Sequence, residues 1–213
     1  MPEDIEIINQ NTRTEKIKNF FRNNLKKIFG SFIFLLILIF SYFGYQEYKK
    51  RLKIDIAETY NQITLKKITI KDVNDIEQLV EIIKKGDPVY STLSLYFIIE
   101  NNLVTDKNEI NNFFDLVIKF QKEKEIKNLI IYKKAMHNAD ISSENELLEI
   151  LNPVLKSESV WKSHALLLMA DYFAYNDNLI KSKDFLEEIV NSKTVNNEIK
   201  IEAERRLKRK FGD

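Results

Sequence analysis

IFGSFIFLLILIFSYFGY, residues 28–45, is an uncharged run opened by Ile28 and closed by Tyr45. As a helix rising 1.5 Å per residue it is roughly 27 Å long, close to a hydrocarbon core of about 30 Å, so it spans a bilayer with little tilt. Twelve of its residues are Leu, Ile or Phe. Their summed preference for lipid is at most roughly 4 to 7 kcal/mol, because only central positions count fully. Gly30, Ser31, Ser41 and Gly44 do not reverse that sign. A core helix of a soluble domain would carry a polar stripe, and this run has none. A cleaved signal peptide would have a shorter apolar region and small exit residues, where Ser41, Tyr42, Phe43 and Tyr45 stand instead. The run is therefore read as an uncleaved transmembrane helix over 28–46, preceded by a basic tail, 1–27, and followed by a domain, 47–213.

Basic residues flank both ends. Lys16, Lys18, Arg22, Lys26 and Lys27 precede the span, and Lys49, Lys50, Arg51 and Lys53 follow it. The slight excess in the tail, with the habit of short tails to stay inside, places the N-terminus in the cytoplasm. Ile17, Phe20, Phe21, Leu25 and Ile28 recur at helical spacing among the tail's cations. That pattern is a helical lead-in to the span, or a face that lies on an anionic leaflet. Tyr42, Tyr45 and Tyr48 stand where an interfacial aromatic belt belongs.

Composition removes several function classes. Gly30, Gly44, Gly86 and Gly212 are the only glycines and are scattered, whereas a P-loop or dinucleotide fingerprint needs them clustered for close phosphate approach. Without cysteine there is no disulfide framework, thiolate nucleophile or cysteine zinc site. His137 and His164 have no ligand spacing, so both read as structural residues, satisfied or exposed, and no metal or cofactor is expected. Net charge is +1: residues 1–28 hold six basic and four acidic side chains, residues 46–213 hold 27 and 28, so no nucleic-acid partner is expected.

Beyond the span, apolar residues return at helical spacing, and the prediction is all-α. Leu52, Ile56, Tyr60 and Ile63 make one face, and Val73, Ile76, Val80 and Ile83 the next, closed by Gly86, Asp87 and Pro88 as a helix stop and turn. Val89, Leu93, Tyr96 and Phe97 pair with Ile110, Phe113, Phe114, Val117 and Ile118 across the polar stretch 105–109. A third pair covers 126–137 and 144–156. Ser143 and Glu146 read as a capping box opening its second helix, and Pro153 should bend or end it. Trp161, Ala165, Leu168, Met169 and Tyr172 pair with Phe185, Leu186, Ile189 and Val190 across a turn at 176–178. Ile199, Ala203 and Leu207 mark a terminal helix, whose basic end, 205–210, reads as a solvated cap favoured by the helix dipole. Pairs at a period of roughly 35 to 40 residues are the mark of a helical solenoid. Ala57, Ala135 and Ala170 are small residues suited to close crossings, where the second pair offers only Ser94 or the bulky Phe97.

The stretch LLLMADYFAYNDNLIKSKDFLEEI, residues 166–189, resembles a tetratricopeptide repeat. Ala170, Phe173, Ser182, Leu186 and Ile189 occupy its small and its aromatic or aliphatic slots, with Asp177 and Ile189 replacing the usual glycine and alanine. The layout as a whole combines a short basic tail, one span, a charged helix, the Gly86-Asp87-Pro88 break and degenerate repeats reaching Trp161-Lys162-Ser163-His164-Ala165. It resembles the bacterial family of ancillary Sec translocon subunits, whose tetratricopeptide-like domain is periplasmic. That resemblance implies a single-pass inner-membrane protein with its C-terminal domain in the periplasm. It also implies partners in the Sec translocon and in periplasmic chaperones acting on emerging proteins, and it supplies no catalytic residues.

The functional expectation is thus a membrane-anchored protein-interaction scaffold. An envelope-organising or cell-division adaptor shares its mechanism with different partners. An enzyme using Glu123, Glu125, Glu144, Glu146, Glu187 or Glu188 is disfavoured, since each is placed on a solvated face.

Overall fold

The computed structural model describes residues 3–65, 72–192 and 195–211, with side chains from Thr14 onward; Gly212 and the outermost residues of the ranges 1–27 and 47–213 lie outside the described residues. The elements are α1 (Glu3–Leu65), α2 (Val73–Lys85), α3 (Tyr90–Glu100), α4 (Lys107–Phe120), α5 (Lys124–Asn138), α6 (Glu144–Leu155), α7 (Lys162–Tyr175), α8 (Leu179–Asn191) and α9 (Asn197–Phe211). Among the described residues all regular structure is α-helical, as the apolar spacing predicts. The chain divides into two compact units, Met1–Asp55 and Ile56–Asp213.

The first unit is helix α1 up to Asp55. Phe29, Phe32, Phe34, Leu35, Ile37, Leu38 and Phe40 are all more than half exposed on it. Among the described residues this is the helix long and apolar enough to cross a membrane, and no part of its apolar window is buried within the structure. A soluble core helix would be covered by neighbours; these rings and branched chains have none, which suits a lipid surround.

In the second unit, the last turns of α1 bury Ile56 and Ile63, while Tyr60 packs its ring on Tyr90 and Phe97 at 5.8 and 6.4 Å. Leu52, expected on the same face, is exposed. Asp72 caps α2 by accepting from the Asn74 amide. Gly86 ends it in the left-handed region at φ 73, its N–H donating to the Ile83 carbonyl. A Cβ on Gly86 would lie 2.9 Å from ring carbons of Phe120. Gly86→Ala is therefore expected to lose about 1 to 2 kcal/mol from the left-handed backbone alone, with the ring clash added, read as a lower denaturation midpoint.

Two helices bury a different stripe from the one their sequence suggests. In α2 the covered residues are Asp75, Leu79, Ile82 and Ile83, and Val73 is exposed. In α3 they are Ser91, Ser94, Leu95 and Ile98, while Val89 and Leu93 are exposed and Tyr96 and Phe97 half-buried. Helix α3 is apolar nearly all round, so periodicity could not choose its face. The choice is made at the α2 crossing, where the small Ser91 fits and its hydroxyl donates to the Ile82 carbonyl at 2.9 Å.

The remaining helices follow their patterns except α7, which buries Leu166, Ala170 and Phe173 beside Ala165 and Met169 and leaves Trp161, Leu168 and Tyr172 half-buried. Phe113, Phe114 and Val117 of α4, Ile130 and Ala135 of α5, and Leu147, Leu151 and Val154 of α6 are buried, as are Ala165, Met169 and Ala170 of α7, Leu186 and Ile189 of α8, and Ala203 of α9. The capping box of α6 is complete: Glu146 N–H donates to Ser143 Oγ, and Ser143 N–H donates to the Glu146 carboxylate at 2.8 Å. Helix α6 continues two residues beyond Pro153 before stopping at Leu155. Between α7 and α8, Asp177 sits at φ 57, the conformation for which a repeat would usually use glycine and which Asp tolerates. Ser182 Oγ donates to the Ala170 carbonyl at 2.8 Å, so two small residues meet at that crossing. Ala57, by contrast, is only half-buried.

Packing is local. One core joins the end of α1 with α2, α3, α4 and Ile130 of α5, a second joins α5, α6 and α7, and a third joins α7, α8 and α9. Ile118 bridges the first two, and Leu155 and Phe185 bridge the last two. Each helix thus buries its apolar face against sequence neighbours, the arrangement of a solenoid-like stack.

Candidate interaction site

Alternate helices also touch along one row: α5 packs against α7, and α7 against α9. Helix α3 makes no such approach to α5. A pocket of about 340 Å³ opens there, floored by Phe114 of α4 and walled by Tyr96 and Ile99 of α3 and Met136 and His137 of α5. Glu100 and Lys133 stand at it as an opposite-charge pair from the two walls. Tyr96 packs partly against the first core and also lines this wall.

Two polar atoms in the pocket walls are buried without a hydrogen-bond partner, Tyr96 Oη and His137 Nε2. Burial pushes the Tyr96 phenol up to about 12, so it stays protonated and able to donate. His137 packs its ring 5.9 Å from Phe114. Burial first, and the Lys107 ammonium second, push its imidazole below the ordinary 6.5. The reading of His137 as a satisfied or exposed residue thus needs amending, because its Nε2 is neither bonded nor open to solvent.

A depressed imidazole means that the folded state resists the proton the unfolded chain accepts. The associated stability is present above the unfolded value near 6.5 and declines as pH falls below it. The denaturation midpoint should therefore drop between about pH 7.5 and about pH 5.5, and His137→Gln should remove that part of the drop. An unchanged pH profile in the variant would contradict the assignment.

A second cluster joins α5 to the start of α7. Tyr132 stacks on Trp161 with ring centres 5.9 Å apart, and His164 lies 4.9 Å from Trp161 and 5.8 Å from Tyr132. Burial, then the Asp171 carboxylate, raises the Tyr132 phenol. Trp161 and Tyr132 pack against the second core, so this cluster ties helices together as well as offering ring surface.

The glutamates considered for catalysis are dispersed and engaged. Glu125 accepts from Ser159 Oγ at 2.6 Å, Glu144 is half-buried and pairs with Lys181 at 2.6 Å, and Glu146 completes the capping box. Glu187 and Glu188 are exposed, facing Lys183 and Lys162 at 3.7 and 3.8 Å, and Glu123 is the exposed N-cap residue of α5. No two of them converge on one cleft. Among the described residues no cluster of three His, Cys, Asp or Glu side chains has the form of a metal site. The basic end of α9 divides: Arg206 reaches Asp171 of α7 and Glu202, whereas Lys208, Arg209 and Lys210 lie exposed in the last turn.

In the first unit the residues after the apolar run order themselves along the helix. Tyr42 Oη accepts from Gln46 at 3.0 Å, Lys49 lies 4.7 Å over the Tyr45 ring, and Arg51 pairs with Glu47. Exposed Tyr42, Tyr45 and Tyr48 carry the amphipathic rings that an interface selects.

The chain is similar to a translocon component. It is 25% identical over 170 residues to the ancillary SecYEG translocon subunit of Buchnera aphidicola subsp. Schizaphis graminum (strain Sg), covering 75% of this chain and 84% of that one. No family model and no solved structure matches the chain. The likeness to the Buchnera protein is distant, but an aligned length of 170 residues takes in much more than one helical pair.

Proposed function

We propose that the chain is a membrane-anchored protein-interaction scaffold, an accessory subunit of the Sec translocon that links it to periplasmic chaperones. The span 28–46 crosses the bacterial inner membrane, the basic tail 1–27 remains in the cytoplasm, and the helical domain 47–213, tetratricopeptide-like in character, stands in the periplasm. The observation that carries this reading is the likeness to the Buchnera translocon subunit over 75% of the chain. The exposed apolar helix supports it, since a tether at the membrane raises the local concentration of the attached domain near other membrane proteins. Stacked helices with local cores also support it, because such stacks present long continuous surfaces to partners. The glutamates held in caps and ion pairs favour a binding role over a catalytic one.

Crosslinking of the full-length protein in native membranes, followed by identification of the products, tests the proposal. Translocon subunits together with periplasmic chaperones are the expected products. Division or cell-wall proteins in their place would overturn it in favour of an envelope-organising or cell-division adaptor. Recovery of neither group would remove the translocon assignment.

A further inference from the structure

We propose that the pocket between α3, α4 and α5 binds an extended segment of polypeptide, taking one large apolar side chain against Phe114 and hydrogen-bonding the adjacent main chain. Its volume of about 340 Å³ is at the small end of the roughly 300 to 1,000 Å³ used by compact ligands. Although one helical side chain can enter such a space, a peptide unit of an α-helix, bonded within its own helix of about 10 to 12 Å diameter, does not fit it. A single ring or branched chain with one peptide unit does. Ile99, Phe114 and Met136 supply the apolar contact, and Met136, unbranched and 44% exposed, is the side chain free to change rotamer and admit the guest.

The polar groups decide between a peptide and a lipid tail. Tyr96 Oη and His137 Nε2 are buried without partners, so a guest that moves the wall side chains aside and bonds them removes the cost of leaving them bare. The protonated phenol can donate to a main-chain carbonyl. The neutral imidazole can donate or accept at Nε2 according to tautomer. Lys133 and Glu100 also line the pocket, a cation that can donate to a carbonyl and an anion that can accept from an amide. An acyl chain satisfies none of these four groups. The inference stands on the pocket alone, so it survives or fails independently of which proteins crosslink to the chain.

The sequence contains only His137 and His164, so each histidine ring reports one location, and His164 in the Trp161 cluster serves as the internal control. Full-length protein carrying ¹³C-histidine, in lipid nanodiscs, is titrated with a capped Gly-Ser-Gly-Phe-Gly-Ser-Gly peptide and with its Phe-to-Ala counterpart. The Phe peptide should shift the His137 imidazole resonance saturably and leave His164 in place, with the Ala peptide at least about tenfold weaker, the effect of about 1.4 kcal/mol. Tyr96→Phe should weaken binding about fivefold by removing the donor, and Met136→Trp, at an exposed position that need not disturb the core, should abolish it. Equal responses to the two peptides, a shift at His164 alone, no shift at all, or binding indifferent to Met136→Trp would overturn the proposal. So would a His137 shift produced by decyl maltoside and not by the Phe peptide, which would assign the pocket to alkyl chains.

Discussion

With Leu35→Arg and Leu38→Arg together, the protein is expected to leave the membrane pellet. Each substitution trades a favourable leucine for an arginine near mid-bilayer, a change of about 3 to 4 kcal/mol, so the pair removes about 6 to 8 kcal/mol. The whole apolar run offers roughly 4 to 7 kcal/mol at best, and the balance crosses zero. Both leucines are about half exposed on α1, at 53% and 51%, with no protein surface over them to shelter a charge. Alkaline carbonate extraction should find the wild type and a Leu35→Ile, Leu38→Ile control in the pellet and the double arginine variant in the supernatant or in aggregates. Retention of the arginine variant in the bilayer would mean that this stretch is not what holds the chain there.

Leu147→Ala is expected to destabilise the helical unit strongly. Leu147 has no exposed surface and sits in the core shared by α5, α6 and α7. Removing a buried leucine side chain costs about 2 to 5 kcal/mol, depending on how far the surroundings close over the void. Domains are stable by about 5 to 15 kcal/mol, so the loss is a large share of the total. Trp161 packs against this same core and is the only tryptophan, which makes its fluorescence a direct reporter of denaturation there. Glu149→Ala, two residues on and exposed, should stay within about 0.5 kcal/mol of wild type. Equal midpoints for the two variants would contradict the packing.

Much of this fold was legible in the residues, for local reasons. The long uncharged run, the Gly86 stop, the Ser143 capping box and the turn at 176–178 each depend on side chains within a few positions of one another; the run is an exposed apolar helix, and the stop, the box and the turn are found as read. Faces were less legible. Helix α3 carries apolar residues nearly all round, so its burial was decided by Ser91 meeting α2, a contact between helices that no period within α3 records. In α2, likewise, Leu79 and Ile82 displaced Val73 from the core.

The pocket was not legible at all. Its residues lie near positions 96, 114 and 137 and converge only because α3 and α5 stay apart over α4. Tyr96 reads as a core-face residue and does pack partly on the first core, and His137 has no partner spacing to mark it. What sets both apart, a polar atom buried without a bond, exists only after folding. No spacing in the sequence points there: Ser94, the small residue that the second pair offers, is fully buried, and Phe97 is partly buried against the first core.

The absence of cysteine from the natural sequence makes the central claim directly measurable. Asn19→Cys, Leu38→Cys and Lys122→Cys, all at exposed positions, are treated in intact spheroplasts and after lysis with a maleimide that does not cross membranes. A helix threaded through the inner membrane, tail inside and helical stack outside, predicts labelling at position 122 in intact spheroplasts, at position 19 only after lysis, and at position 38 in neither. Ready labelling of position 38 in closed membranes, or positions 19 and 122 becoming accessible together, would contradict it.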